Sequence, residues 1–381
     1  MKVLSIGSDR KLFEEGSAVR ARLVEYASLF DELHLIVFSR RTQLTTDNLQ
    51  LTTNCWVYPT NSWSRWFYIF DAIRIGIRIV RSQKSKVNGW VVSAQDPFET
   101  GLVVYRLARR FRLPLHIQIH TDFLSPYFAP LSMLNRLRVF IASRVLPRAN
   151  AIRVVSERIK NSLSKVNGQM SNVSVLPIWS DLTKFQETPP SFDLKQKYPQ
   201  WSFIILAAAR LSPEKNVGFA LRILSELLKK YPKVGLVIVG DGPLGESLKF
   251  KVKSLKLEEH IAFEGWQDNL ASYYKTANLF LQTSLYEGYG LSLLEALASG
   301  CPAVSSDVGI APELLIHKGH SFVCPVNNLQ CFVSTISRLI EDNQLRTFFS
   351  LEIAPAAVLE FSQSKKAYLE KYLASIESAR M

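Results

Sequence analysis

The chain has 381 residues, 47% of them hydrophobic and 21% charged, a length that points to two domains and a composition that excludes disordered, fibrous and repeat classes. No apolar run approaches the ~18 residues of a membrane span, and the first seven residues (MKVLSIG) are too short for a signal core, so a cytoplasmic location is expected. The formal charge of +13 sits almost wholly in one half: residues 1–190 hold 26 Lys and Arg against 14 Asp and Glu, residues 191–381 hold 20 against 19, which suggests an anionic partner for the first half alone.

In chain order, apolar runs predict strands near 2–6, 33–38, 54–58, 90–93, 115–119, 151–155 and 173–177. Helical patterns fall between most of them, such as 17–30 and 100–112. Residues 61–86 are the most unusual part of this half. Trp63, Trp66, Phe67, Tyr68 and Phe70 cluster at their start. Arg74, Arg78 and Arg81 then recur at i, i+4 and i+7 on a helix rich in isoleucine. One reading is a helix that packs inward and leaves a solvated basic edge. The other is an interfacial element, with Trp66 and its neighbours at headgroup depth and the three arginines on anionic lipid. The basic run continues through Arg106, Arg109, Arg110, Arg112, Arg136, Arg138, Arg144 and Arg148. No nucleic-acid-binding motif accompanies it, so no nucleic-acid partner is expected. His120-Thr121-Asp122 follows the strand at 115–119, where an imidazole and a carboxylate can serve a reacting group or act structurally.

Gln186-Glu187-Thr188-Pro189-Pro190-Ser191 reads as the linker, because two prolines cannot continue an element. Strands are expected beyond it near 202–208, 234–239, 261–264, 278–282, 302–305 and 321–324, with helices at 216–231 and 328–344. Runs such as Phe203-Ile204-Ile205-Leu206-Ala207 are apolar on both faces and alternate with helices. That pattern gives parallel sheets, hence an α/β fold of two doubly wound Rossmann-like domains, with ligand loops beyond the strand ends.

Three of those loops carry chemistry. Arg210 ends the first strand of the second half and Lys215 opens the next helix, so the two can clamp a diphosphate. Gly240-Asp241-Gly242-Pro243-Leu244-Gly245, with Glu264 about 20 residues on, has dinucleotide-fingerprint spacing. Two features oppose that reading: the motif follows the second strand, and Pro243 lacks the amide a pyrophosphate needs. Glu287-Gly288-Tyr289-Gly290-Leu291-Ser292-Leu293-Leu294-Glu295 places two carboxylates around a glycine turn that starts a helix. The free amides at Gly290 and Leu291 suit phosphate, and each carboxylate suits a different hydroxyl. Cys55, Cys301, Cys324 and Cys331 show no metal-ligand spacing and read as reduced thiols; no metal site is expected.

Taken in order, Arg210 to Lys215, Gly240 to Pro243, Glu287 to Ala296, Ser299-Gly300-Cys301-Pro302 and Asp307-Val308-Gly309 resemble the retaining glycosyltransferases of family four, of the GT-B type. The resemblance covers most of residues 200–320. In the first half, Gly16-Ser17 stands where the family often has a glycine pair. Ile178-Trp179-Ser180-Asp181 departs from the family's Asn-Gly before an Asp.

The resemblance implies two domains facing across a cleft: residues 1–187 on the acceptor side, joined by a C-terminal helix at about 361–381, and residues 188–360 holding the nucleotide sugar. Arg210 and Lys215 would hold the diphosphate, Glu287 the sugar and Glu295 the ribose. Gly290 and Leu291 would contact sugar or phosphate, and Gly265-Trp266 the base. His120 would line the reacting centre, and Gly16 would let backbone approach donor or acceptor. It implies no cofactor beyond the nucleotide-diphosphate sugar, with Arg210 and Lys215 replacing a metal. Together with the basic half it implies a lipid-linked or membrane-held glycan acceptor and a peripheral position on the inner membrane face. Alternatives are a sugar-nucleotide epimerase of the same fold and a non-catalytic anion-binding protein.

Overall fold

A computed structural model describes residues 1–42, 48–82, 89–167, 172–317 and 320–381. The described residues form two compact units, Met1–Pro177 with Ser364–Met381, and Ile178–Gln363. The change of unit falls ahead of the Pro189-Pro190 linker. Residues beyond 177 already pack on the second unit: Phe185 meets the ring of Tyr274 edge-on, and Lys275 Nζ donates to the Gln186 carbonyl at 2.9 Å. The last four residues of the segment read as 61–86 lie outside the described residues.

The first unit is built on β1 (Lys2–Gly7), β2 (Glu32–Val37), β3 (Leu49–Thr52), β4 (Cys55–Pro59), β5 (Trp90–Ala94), β6 (Leu115–Ile119), β7 (Ala151–Val154) and β8 (Val173–Val175), in the order β3-β4-β2-β1-β5-β6-β7-β8. All pairs are parallel except β3 on β4. The antiparallel β3 was not legible in the sequence, because LQLT is short and only half apolar. Strands β5, β6 and β7 are buried on both faces, as helices on each side of a parallel sheet require.

Burial extends to polar groups on these strands. Arg153 of β7 is 3% exposed. Its guanidinium donates to the carbonyls of Leu176 and Pro177 at 3.2 Å, to Gln118 Oε1 at 2.8 Å and to the Tyr368 hydroxyl at 3.0 Å. It also lies over the rings of Tyr368 and Tyr372. Both tyrosines belong to the helix Lys365–Glu377, and Tyr372 stacks on Tyr26 with ring centroids 4.6 Å apart. The chain thus leaves the second unit and completes the first.

The second unit is built on β9 (Phe203–Ala208), β10 (Val234–Val239), β11 (Ile261–Gly265), β12 (Leu279–Gln282) and β13 (Ala303–Ser306). A small hairpin of β14 (Ile316–His317) and β15 (His320–Ser321) precedes the edge strand β16 (Val323–Cys324). The main sheet runs β11-β10-β9-β12-β13-β16, all parallel. Cys324 and Cys331 form a disulfide, which corrects the expectation of four reduced thiols; Cys55 and Cys301 are free and buried. The helix Leu329–Glu341 starts so soon after β16 that the two sulfurs meet. No helix among the described residues is long and apolar enough to cross a membrane.

Replacing Arg153 with Met strands two carbonyls, an amide oxygen and a hydroxyl in the interior. We expect a loss of about 3 kcal/mol or more from the first unit's unfolding transition in urea. Amide-exchange protection should fall in residues 365–377, and unchanged protection there would count against the anchoring role.

Candidate functional site

In the second unit the strand order reverses between β9 and β12. The chain travels outward through β10 and β11, then returns to start again at β12. Loops beyond the carboxyl ends of the two central strands part at such a reversal and leave a crevice. Here it is lined by Ala207 to Ala209, Lys215, Gln282 to Ser284, Glu287 and Ser292.

The two loops are stitched together by hydrogen bonds. Thr283 Oγ1 donates to the carbonyls of Lys215 and Asn216 at 3.2 and 3.1 Å. Asn216 Nδ2 donates to the Thr283 carbonyl at 3.2 Å and to Asn327 Oδ1 at 2.9 Å. Leu285 N donates to the Glu214 carbonyl at 2.8 Å. Asn216 adopts a left-handed φ of 53° ahead of the helix Val217–Leu228, a conformation its short amide tolerates.

This stitching brings Lys215 and Glu287 together. Lys215 Nζ donates to Glu287 Oε1 at 2.6 Å, and Ser284 Oγ donates to the same oxygen at 2.7 Å. Both charged side chains are largely but not wholly buried. The turn then rises to Gly290, whose φ of 111° only glycine adopts freely, and the helix Leu291–Ala298 begins at once. Glu295 lies one turn inside it. Burial pushes its carboxyl up to about 7, with Lys184 and the neighbouring Tyr274 hydroxyl opposing in part. Ser284, Thr283, Asn216 and Asn327 were not singled out from the sequence; the residue just before a helix, Asn216, is the one a capping analysis could have flagged.

Arg210 is exposed on the loop after β9. The glycines after β10 support that loop. A Cβ at Gly240 would lie 2.1 Å from the Ala209 carbonyl oxygen, and one at Gly242 would lie 2.6 Å from that of Leu211. The close approach that dinucleotide-fingerprint glycines allow is therefore taken by the chain's own backbone. Glu264 is equally occupied: Lys197 Nζ and the Tyr273 hydroxyl donate to Oε2 at 2.6 and 2.8 Å, and the Tyr198 hydroxyl to Oε1. Burial would raise this carboxyl, but its three donors outweigh that and hold it below its ordinary value. Neither residue set is free for a nicotinamide cofactor. Gly265 and the exposed Trp266 follow at the end of β11, the edge strand two positions from β9.

His120 and Gly16 lie in the first unit, beyond the carboxyl ends of β6 and β1. Burial first, then Arg153 and Arg22, push the His120 imidazole down to about 3, so it is neutral at physiological pH. Asp122 is buried and raised above its ordinary value by burial, against Arg158 and the amides of Leu124 and Ser125. Among the described residues no cluster of three or more His, Cys, Asp or Glu is placed to hold a metal ion.

Two Rossmann-like units of this construction define the GT-B class of glycosyltransferase folds. Anabaena HepE, solved in complex with UDP and glucose, matches 99% of this chain and 100% of its own with a TM-score of 0.74 at 21% identity, a likeness of fold. Residues 192–351 match the family described as Glycosyl transferases group 1, which places a domain of that kind in the second unit. The alpha-monoglucosyldiacylglycerol synthase of Streptococcus pneumoniae is 28% identical over 226 residues, 56% of this chain and 51% of that protein. The UDP-Gal:alpha-D-GlcNAc-diphosphoundecaprenol alpha-1,3-galactosyltransferase of Escherichia coli is 28% identical over 179 residues, 45% of this chain and 46% of that one. The chain spans about half the length of these two relatives.

Glu295 makes stability depend on pH. Its folded carboxyl titrates near 7 against 4.5 for an ordinary one, so between these values the folded state holds the extra proton. Stability from this group is then greatest at low pH and falls as pH rises towards 7 and beyond. From about pH 5.5 to about pH 8 the loss should be about 2 kcal/mol. Glu295→Gln mimics the protonated form and should remove that part of the pH dependence in urea unfolding. An unchanged pH profile would contradict the buried setting of the carboxyl.

Proposed function

We propose that the chain is a retaining glycosyltransferase that moves a sugar from a nucleoside-diphosphate donor, of the UDP type, to a lipid-linked or membrane-held glycan. The observation that carries this reading is the Lys215–Glu287 pair, held at the strand reversal beside the start of the helix Leu291–Ala298. An ammonium, the exposed guanidinium of Arg210 and backbone amides at a helix start suit a diphosphate. Without donor, Lys215 and Glu287 neutralise each other. A bound diphosphate draws Lys215 away and leaves Glu287 to accept hydrogen bonds from the sugar.

As the glycosidic bond to the donor breaks, charge grows on the departing diphosphate. Arg210 and Lys215 stabilise it there, without a resident metal. Glu295 accepts from the ribose hydroxyls, Gly290 and Leu291 line the phosphate and sugar, and Gly265-Trp266 meets the base. On the acceptor side, in the first unit, Gly16 admits backbone to the substrate. His120, neutral, gives or accepts a single hydrogen bond. The relatives named above support the donor and acceptor classes by what they act on. The retaining course rests on the family resemblance, and the anomeric configuration of the product by NMR tests it.

A place on an anionic membrane surface, at the cytoplasmic face, completes the proposal. The helix Tyr68–Ser82 buries Ala72, Gly76, Ile79 and Val80 inward, while Arg74, Arg78 and Arg81 are exposed behind a 92% exposed Trp66.

Arg210→Ala and Lys215→Ala should each lower turnover roughly a hundred- to thousand-fold, or about 2.7–4 kcal/mol of barrier. Near-normal rates in both folded variants would remove the diphosphate assignment. Titration with UDP alone separates the two glutamates: Glu295→Gln should weaken UDP binding, whereas Glu287→Gln should impair chiefly the use of the whole donor. The reverse pattern would exchange their roles. Replacing Arg74, Arg78 and Arg81 together by Gln should weaken binding to anionic vesicles by about 3 kcal/mol at most, an effect that high salt reproduces. Equal binding of the unaltered protein to neutral and anionic vesicles would point to a soluble acceptor.

A further inference from the structure

The helix Met133–Val145 leaves a stripe of large apolar side chains uncovered. Met133, Leu137 and Phe140 are 75%, 51% and 54% exposed, and they recur at helical spacing on one face. The first unit covers only the opposite side of this helix, where Asn135, Ala142 and Val145 are buried.

A second element repeats the design. At the start of the helix Tyr68–Ser82, Phe70 is 58% exposed, and the Arg74 guanidinium lies over its ring at 5.5 Å. On Met133–Val145, the Arg144 guanidinium lies over Phe140 at 4.6 Å. In each case an exposed ring is followed four residues later by an arginine stacked on it. The helix Glu99–Phe111 packs between the two. All three helices cross to the next strand in the same direction along the sheet, so right-handed connections put them in one layer. Each begins beyond the carboxyl end of a strand, so both apolar clusters lie on the rim that also carries His120.

Resting on the membrane reading above, we propose that Met133–Val145 is a second insertion element, and that it and the start of Tyr68–Ser82 enter an anionic bilayer together as two prongs. Charge selects this occupant. The acidic residues of the layer are engaged, Asp71 by Ser62 and Glu99 by Arg138, and the outer face is otherwise basic. A second copy would set arginine against arginine. A bilayer instead takes the rings at the acyl boundary while the guanidinium groups reach back to lipid phosphates. The prongs then set the acceptor-side loops at headgroup depth.

An environment-sensitive fluorophore tests this. The free Cys55 and Cys301 are buried and the other two cysteines are bonded, so a single new thiol can be labelled. Leu137→Cys and Phe70→Cys serve as probes, and Phe250→Cys, 75% exposed in the second unit, as control. Mixed with vesicles of phosphatidylcholine and phosphatidylglycerol, the first two should brighten and shift to the blue, and the control should not. Leu137→Asp combined with Phe140→Asp should weaken vesicle partition about tenfold or more. It should leave the circular dichroism spectrum and monomeric state unchanged, since both side chains face solvent. If the arginine replacements weaken binding while the probe at 137 stays in water, the second prong is wrong and surface contact stands. If no variant affects vesicle binding, both fall. If the unaltered protein self-associates and the aspartates abolish that, the face belongs to a second copy.

Discussion

Thr283 and Asn216 exchange hydrogen bonds across the point where the second sheet reverses its strand order, and the geometry of the site depends on that exchange. A parallel sheet delivers two loops to the same crevice but does not join them. Left alone, each would wander in its own hydration. The side chain of one loop is bonded to the backbone of the other in both directions, so Lys215 and Glu287 have no independent positions. Their 2.6 Å contact follows from the backbone beneath them. Preorganisation of this kind lets a charged pair meet an incoming anion without first being assembled.

The pair is also a reason for the crevice to tolerate two charges without a ligand. Each partner relieves the desolvation of the other, and Ser284 supplies a further donor to the carboxylate. Glu295 stands in contrast. It is buried without a full charge partner, and its carboxyl rises towards neutrality. Two glutamates eight residues apart in one motif thus sit in different electrostatic settings, fixed by their surroundings rather than their type.

Much of the architecture was legible in the sequence because parallel strands buried on both faces are mostly apolar along their length. FIILAA and VGLVIV could be little else, and both are strands. The loops with unusual residues were legible for the same reason: glycines and charges beyond a strand end need an explanation. What spacing could not show was which loop meets which. Nothing near Lys215 in the chain announces Glu287, 72 residues away. The Gly240 motif was ambiguous by spacing because two different close approaches, to a ligand or to the chain's own backbone, demand the same residue. The Cys324–Cys331 link was missed because the cysteines lie seven positions apart, one at a strand end and one in the first turn of the next helix, and only the turn between brings the sulfurs together.

The return of the chain to its first unit has a consequence for how the molecule is made. The second unit is an uninterrupted stretch, and Trp179 Nε1 donates to the Gln363 carbonyl, joining its two ends. It can therefore close as soon as its own residues are available. The first unit cannot. Arg153 and Tyr26 wait for Tyr368 and Tyr372, which are synthesised only after the whole second unit. Until then a basic sheet layer with a buried guanidinium site stands incomplete on the ribosome, and the half made first is the half finished last. Such an order exposes the incomplete first half to chaperones for the full duration of translating the second.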